Sequence, residues 1–304
     1  MNKALQRTTC AKGAGASQNW DDFDLGIEVQ QIKAAKEKRF VIEAIALTVL
    51  EGFIILLAAT SLAVAGLVLA QRRLPLEFRK AHNDTMGIIY GALHIVFGLI
   101  IGFTAFLVLD KFTTAQNTVA SEAGDLVEIH RTAEAFAQTQ RDQIQQLAKS
   151  YAQDVVDEEW PLMNNGQSSS RAEVLVDELG RSLQEFEPST EVEKAAYSQE
   201  LSNVHDLARD RNVRLLQVYT GLPPLLWAVL GVLAIVIIVF TYFLGMEDAR
   251  LHRWAVGVLT ASMVFTILTI LVLDHPFGAG FRVGPGAFER GLSTMEEATH
   301  QQQP

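Results

Sequence analysis

The sequence predicts an all-α integral membrane protein: four transmembrane helices, with a long helical insert between spans two and three. Three observations carry that prediction. First, most apolar side chains of the 304-residue chain gather into four stretches, about Ala44–Ala70, Met86–Leu109, Pro223–Gly245 and Trp254–Leu273. Each is roughly 20 residues or longer, and ~20 helical residues cross a hydrocarbon core ~30 Å thick. Second, the remaining polar chain is too short to cover four such helices in water, whereas a bilayer accepts helices because their backbone hydrogen bonds close internally. Third, the segment between the second and third stretches repeats its apolar residues at three- and four-residue steps, without a strand pattern. The averages alone, 49% hydrophobic residues and a mean hydropathy of +0.17, would also suit an apolar soluble enzyme; the segregation decides.

Residues 1–26 mix Gly, Ala, Ser, Gln and Asp and are expected to form a disordered tail. They lack the short apolar core of a cleavable signal peptide. The single cysteine, Cys10, excludes an internal disulfide and a cysteine-based metal site, and no apolar run precedes it as in a lipoprotein anchor. The net charge of −10 argues against a nucleic-acid partner. From about Ile27 to Phe40 the chain becomes a polar helix carrying Lys33, Lys36, Lys38 and Arg39, which leads into span one. Residues 27–110 thus hold this helix and spans one and two, joined by the short basic loop "QRRLPLEFRKAHND". Residues 111–222 form the insert, residues 223–274 spans three and four, and residues 275–304 a C-terminal tail.

Four crossings place both termini and the insert on one side of the membrane and the two short loops on the other. The short loops carry Arg72, Arg73, Arg79, Lys80, Arg250 and Arg253, a density that favours the cytoplasm and leaves the insert outside it. The basic cluster just before span one argues for the reverse.

The insert reads as helices from end to end. Leu126, Ile129, Ala133, Phe136, Ile144, Leu147, Tyr151 and Val155 make one apolar stripe. An unbroken helix from Lys111 to Glu159 would reach ~70 Å, so a bend is expected near Gln138–Gln140. A second helix is expected from Ser170, with Glu173 completing a Ser-x-x-Glu capping box and a stripe of Leu175, Leu179, Leu183 and Phe186. Pro188 ends it. Thr190 and Glu193 form another possible box, opening a helix through Leu201, Val204, Ala208, Leu215 and Val218. Gly221 is a plausible cap for its end, and Pro223-Pro224 suit the first turn of span three.

Two features inside the spans could carry chemistry. In span two, Gly87, Gly91, His94, Gly98 and Gly102 fall on one helical stripe, because their steps are four, three, four and four. Small residues let helix backbones touch, so the stripe suits either packing within the chain or an interface or pore axis. In span one, Glu51 stands among small and polar residues (Ala44, Thr48, Ala58, Ser61, Ala65). An intramembrane acid is costly and faces a bundle interior or water, as a structural hydrogen-bonded carboxyl or as an ion or proton station. Counted from the span centres, Glu51 and His94 lie ~15 Å apart along the membrane normal, too far to pair.

Metal, haem and enzyme chemistry find little footing. His82, His130, His205, His252 and His275 are scattered. The acidic "DVVDEEWPLM", with Asp154, Asp157, Glu158 and Glu159, reads as a solvated helix end, and Asp21, Asp22 and Asp24 as a solvated run in the tail. No nucleophile elbow, phosphate loop or zinc-protease motif occurs. No cofactor and no enzymatic activity are expected.

Short motifs nevertheless line up in order: "HND" (His82–Asp84), "SEA" (Ser121–Ala123), "EEWP" (Glu158–Pro161), "RDRNVRL" (Arg209–Leu215), "LPPLLW" (Leu222–Trp227) and "LDHPF" (Leu273–Phe277). Together, from about Leu74 to Leu292, they make the chain resemble the bacterial bestrophin-like proteins. Asp274, Pro276 and Phe277 match the family's Asp-x-Pro-Phe, and Pro276 ends span four where the helix meets the interface. The resemblance implies kinship with bestrophins, which are oligomeric anion channels with four spans per subunit and helical domains inside the cell. The expectation is therefore a multi-pass protein of a cell membrane, bacterial inner membrane foremost. Its expected partners are the lipid bilayer, further copies of itself and small ions. A membrane-anchored sensor or scaffold, whose insert binds a partner or ligand, is the alternative.

Overall fold

A computed structural model gives the structure of the chain and describes residues 49–164, 166–278 and 282–301. The chain divides into two compact units, Met1–Leu50 and Glu51–Pro304. The expected tail, the polar helix of residues 27–40 and the start of span one lie outside the described residues. The described residues are helical, with no strand among them.

Four helices are long and apolar enough to span a bilayer. The first, α1, covers Val49–Arg73. The short basic loop contains a six-residue helix, α2 (Leu76–Ala81), initiated by Pro75. Next comes α3 (Asn83–Thr132), a single 50-residue helix. At 1.5 Å per residue it is ~75 Å long, so it crosses the bilayer and continues far beyond it. The chain turns at Ala133–Phe136, a little before the expected bend, and α4 (Gln138–Asp154) runs back alongside α3. A π turn at Val155–Glu159 leads into the four-residue α5 (Trp160–Met163).

Helix α6 (Ser170–Gln184) is capped by Ser169, whose hydroxyl accepts from the Ala172 amide. The expected Ser170–Glu173 box is therefore displaced by one residue. Helix α7 (Glu191–Tyr219) opens on the Thr190–Glu193 box, with both reciprocal bonds formed. It ends at Thr220 in an extended conformation, so Gly221 is not its cap. Helix α8 (Pro224–Phe243) starts on the proline pair, and α9 (Ala249–Leu273) is capped by Asp248. The segment expected as a C-terminal tail contains α10 (Gly286–Gln301), which packs on α3 and α4 and buries Phe288 and Met295.

The apolar stripes find their partners in the main core. Leu126, Ile129, Ala133, Phe136, Ile144, Tyr151, Val155, Leu175, Leu179 and Leu183 all lie inside it, joined by Phe277 and Phe288 from beyond the insert. Helix α7 departs from expectation. Besides Val204 and Leu207 it buries Glu200, Asn203, Asp210, Arg211 and Arg214; the two arginines meet carboxylates on α3 and on the π turn. The membrane ends are held by two clasps. At the short-loop end, the Asn83 amide donates to Gly245 O at 2.8 Å and accepts from Gly245 N at 2.7 Å. Arg79 adds a bond to Leu244 O, and Lys80 pairs with Glu247 at 2.6 Å. A Cβ on residue 245 would stand 2.6 Å from the Lys80 nitrogen, which requires glycine there.

Candidate functional site

The long helix α3 carries the predicted stripe. Its buried side chains, Phe97, Thr104, Val108 and Phe112, face the rest of the chain. Gly87, Gly91, Gly98 and Gly102 occupy another face, and a Cβ added at any of them would meet nothing within 4 Å. Among the described residues nothing packs against these glycines. The exposed row continues at helical steps through Leu109, Thr113, Gln116, Ala120 and Gly124, beyond the bilayer and into the insert. Up to Leu109 it is bare backbone or apolar, with Phe106 exposed between Gly102 and Leu109; past there it is uncharged, Thr113 and Gln116 being polar and Ala120 and Gly124 small.

His94 sits at the edge of this row, half-buried. Its Nδ1 donates to the Tyr90 carbonyl at 2.8 Å, and the Tyr90 ring lies 4.0 Å away between centroids. That bond fixes the tautomer and leaves Nε2 an acceptor, shielded and without a partner. Glu51 lies on an exposed side of α1. The two residues are not brought together.

The residues of the "LDHPF" motif form the second clasp, at the insert end of the spans. Asp274 is 1% exposed. Its carboxylate accepts from the Leu222 amide at 2.9 and 3.0 Å and from Lys111 at 3.3 Å. Lys111 also donates to the carbonyls of Asp274 and Thr220. One carboxylate and one ammonium thereby tie α3, the α7–α8 turn and the end of α9. Pro276 accepts from Val283 N, and Phe277 packs edge-on against Trp160 at 5.9 Å.

Sequence reasoning missed the largest constellation. Three of the family-like motifs, "SEA", "EEWP" and "RDRNVRL", converge on a sealed charge network in the insert. Arg214, fully buried, gives Nε and Nη2 to Glu122 at 2.6 and 2.9 Å and shares Nη2 with Glu159 at 2.7 Å. Its guanidinium lies 5.4 Å from the Trp160 ring and 5.8 Å from the Phe288 ring. Arg211 completes Glu159 at 2.7 Å, and Tyr151 donates to Glu122 at 2.5 Å. Ser169 donates its hydroxyl to Asp154 at 2.6 Å.

The reading of "DVVDEEWPLM" as a solvated helix end is corrected here: Asp154 and Glu159 are buried, and only Asp157 and Glu158 face solvent. The π turn between them is the reason. It adds a residue to the turn, so that two acids five positions apart both point inward. Burial raises the Glu159 carboxyl, but the Arg214 and Arg211 guanidinia outweigh it and hold it below its ordinary value. Burial, then Glu122, pushes the Tyr151 hydroxyl well up. Two ion-paired arginines facing two glutamates balance in charge, which suits a fixed strut better than a ligand site. The repeated Arg, Glu and Trp of the motifs were the available signal.

Comparison with known proteins places the chain. The family model described as the Bestrophin-like domain matches residues 57–288. No curated protein matches the sequence. Among solved structures, a point variant of a bacterial bestrophin homologue from Klebsiella pneumoniae is 12% identical, with a TM-score of 0.62 over 80% of this chain and 98% of that one. Another structure of a Klebsiella pneumoniae bestrophin homologue is also 12% identical, with a TM-score of 0.60 over 82% of this chain and 99% of that one. A structure described only as a membrane protein variant is 11% identical, at a TM-score of 0.61. At such identity these likenesses establish the fold.

Proposed function

The chain belongs to the bestrophin-like family of multi-pass membrane proteins, and on that premise we propose that it assembles as a homo-oligomer and conducts small ions, anions foremost, across a bacterial inner membrane. One observation carries the reading. Along α3 a row of glycines is left uncovered by the described residues and is followed, past Phe106 and Leu109, by the uncharged Thr113, Gln116, Ala120 and Gly124. A bare glycine face costs helix stability. It is rational where other copies, or ions and water, occupy the space, since small residues are what membrane helices present to each other. In this reading the α3 helices of several copies surround an axis. His94 stands at the edge of the row, held by its bond to the Tyr90 carbonyl, and Glu51 is an ion or proton station on α1. The clasps at Gly245 and Asp274 keep α3 rigid against α8 and α9.

The test is a flux assay in liposomes with the oligomer mass measured alongside. The purified protein is expected to be multimeric in detergent and to discharge a chloride gradient. Gly98→Leu with Gly102→Leu is expected to leave the subunit folded, because no described residue comes within 4 Å of an added Cβ there, but to lower flux or change the mass. A monomer without flux for chloride, sodium or potassium would overturn the reading. A cleft of 380 Å³ in the insert, lined by Lys149, Arg171 and Glu296 among other polar groups, favours the second reading, a ligand-binding sensor. Ligand binding by a monomeric, non-conducting protein would establish that one.

A further inference from the structure

Helices α1 and α9 lie together near the short-loop end of the bilayer, and they leave a groove of 430 Å³ between them. Val64 lines it from α1, and Arg253, Trp254, Gly257, Val258 and Ala261 line it from α9. The helices are close at its floor: a Cβ on residue 257 would stand 3.7 Å from Val64 and 3.9 Å from Thr60. Elsewhere the lipid-facing surfaces of these helices carry large side chains, among them Phe53, Leu62, Leu69, Leu251 and Phe265, each more than half exposed. Along the groove Gly257 and Ala261 interrupt that surface with a recess. From Arg253 to Ala261 it runs about 12 Å along the helix axis, from the interface into the hydrocarbon.

The two ends differ in chemistry. The interior is apolar. The mouth holds Arg253, whose Nε donates to the Ala249 carbonyl at 2.9 Å and so keeps the guanidinium on the interface side. Trp254, 73% exposed beside it, is the residue type that settles at the headgroup level. Arg72, Arg73 and Arg250 reach the same membrane face. Of the acids beside α9, Glu247 is engaged on Lys80 and Asp248 on the first amides of α9, while Glu77 and Asp84 belong to α2 and α3. Among the described residues none of these four arginines has an ion-pair partner. An apolar slot that ends at uncompensated guanidinium groups at the level of the headgroups complements one molecule: a lipid with an anionic head.

We propose that the α1–α9 groove binds an acyl chain of an anionic phospholipid, with the Arg253 guanidinium on its phosphate. The site is independent of ion conduction, because α3 takes no part in it.

Native mass spectrometry of the full-length protein tests the proposal, after delipidation and titration with phosphatidylglycerol or with phosphatidylcholine of identical chains. One retained phosphatidylglycerol per subunit is expected, and roughly five-fold weaker retention of it by Arg253→Gln, the loss of one basic group at a charged membrane surface. Ala261→Phe, which fills the recess, is expected to abolish retention. Phosphatidylcholine is expected to bind the native protein no better than Arg253→Gln binds phosphatidylglycerol. Equal retention of the two lipids, or retention unchanged in Arg253→Gln, overturns the assignment. Displacement of the lipid by soluble glycerol phosphate would reduce the site to a headgroup contact and overturn the acyl-chain claim. A change of oligomer mass in Ala261→Phe with lipid retention intact would make the groove a contact between copies. Arg253→Gln changes an exposed side chain, so the headgroup arm stands even where Ala261→Phe fails to fold.

Discussion

Two buried residues of α7 show how much one side chain decides in the insert. Arg214 holds Glu122 and Glu159 apart and, with Arg211, balances their charge away from solvent. Removing it leaves two carboxylates in a closed core, and breaking a buried pair costs about 3–5 kcal/mol. Arg214→Leu is therefore expected to lose that much stability in denaturant titration of the detergent-solubilised protein. Arg214→Lys is not expected to restore it, because an ammonium cannot repeat the two-pronged contact with Glu122. Glu200 is the opposite case. It is fully buried with no ion-pair partner among the described residues, and burial, then Glu128, raises it from 4.5 to about 8 against a smaller opposing effect of Asn203. The folded state thus binds a proton that the unfolded state releases between those values, and stability falls as pH rises through the window. His130, lowered from 6.5 to about 4 by burial and by Lys149, works the other way, stability rising with pH up to about 6.5. Above that pH only the carboxyl trend remains, shared with Asp125, which burial and Asp210 raise to about 7. The thermal midpoint is expected to decline from pH 6.5 to 8, and Glu200→Gln to flatten the decline and to raise the midpoint at pH 8.

At the scale of elements, glycine plays two different parts. On α3 it leaves a face empty. At Gly245 it permits contact, since the α8–α9 turn lies directly on the α2 backbone and the Asn83 amide bridges the two. Gly245→Ala must push the loops apart, and overpacking of this kind costs typically about 1–3 kcal/mol. The expected result is a lowered thermal midpoint with the helix content by circular dichroism unchanged. An unaltered midpoint would mean that the short loops separate freely. The π turn at Val155–Glu159 is the other element-level device. By shifting the register of one turn it turns a surface-like run of acids into the wall of the charge network, a step that no 3.6-residue periodicity contains.

At the scale of the whole molecule, the spans and the insert form one continuous column. Helix α3 enters the insert without a break, and α7 returns to α8 across only four residues. Asp274 and Lys111 close that junction from the side of α9. Asp274→Asn keeps the shape but removes the charge that draws in Lys111 and one of the two oxygens that share the Leu222 amide. Hydrogen bonds to charged groups contribute about 1.5–3 kcal/mol, and a loss of that order is expected. The functional consequence is measurable as well: a junction loosened in this way is expected to reduce ion flux while leaving the oligomer mass unchanged.

Periodicity and length alone determined that four helices cross the bilayer, that the insert is helical, and where Thr190 and the proline pair start their helices. Each of those facts depends on residues near one another in sequence, and water and lipid sort such patterns in the same way in any fold. The sequence also determined the family, through motifs whose order was readable while their roles were not. Only the tertiary structure decided that Glu122, Glu159, Arg211 and Arg214 meet, that the C-terminal segment folds back as α10, and that the glycine row of α3 stays uncovered. Pairing between charges 52 to 92 residues apart along the chain depends on which helix faces which. A glycine reads the same whether its neighbour is a helix of its own subunit or empty space.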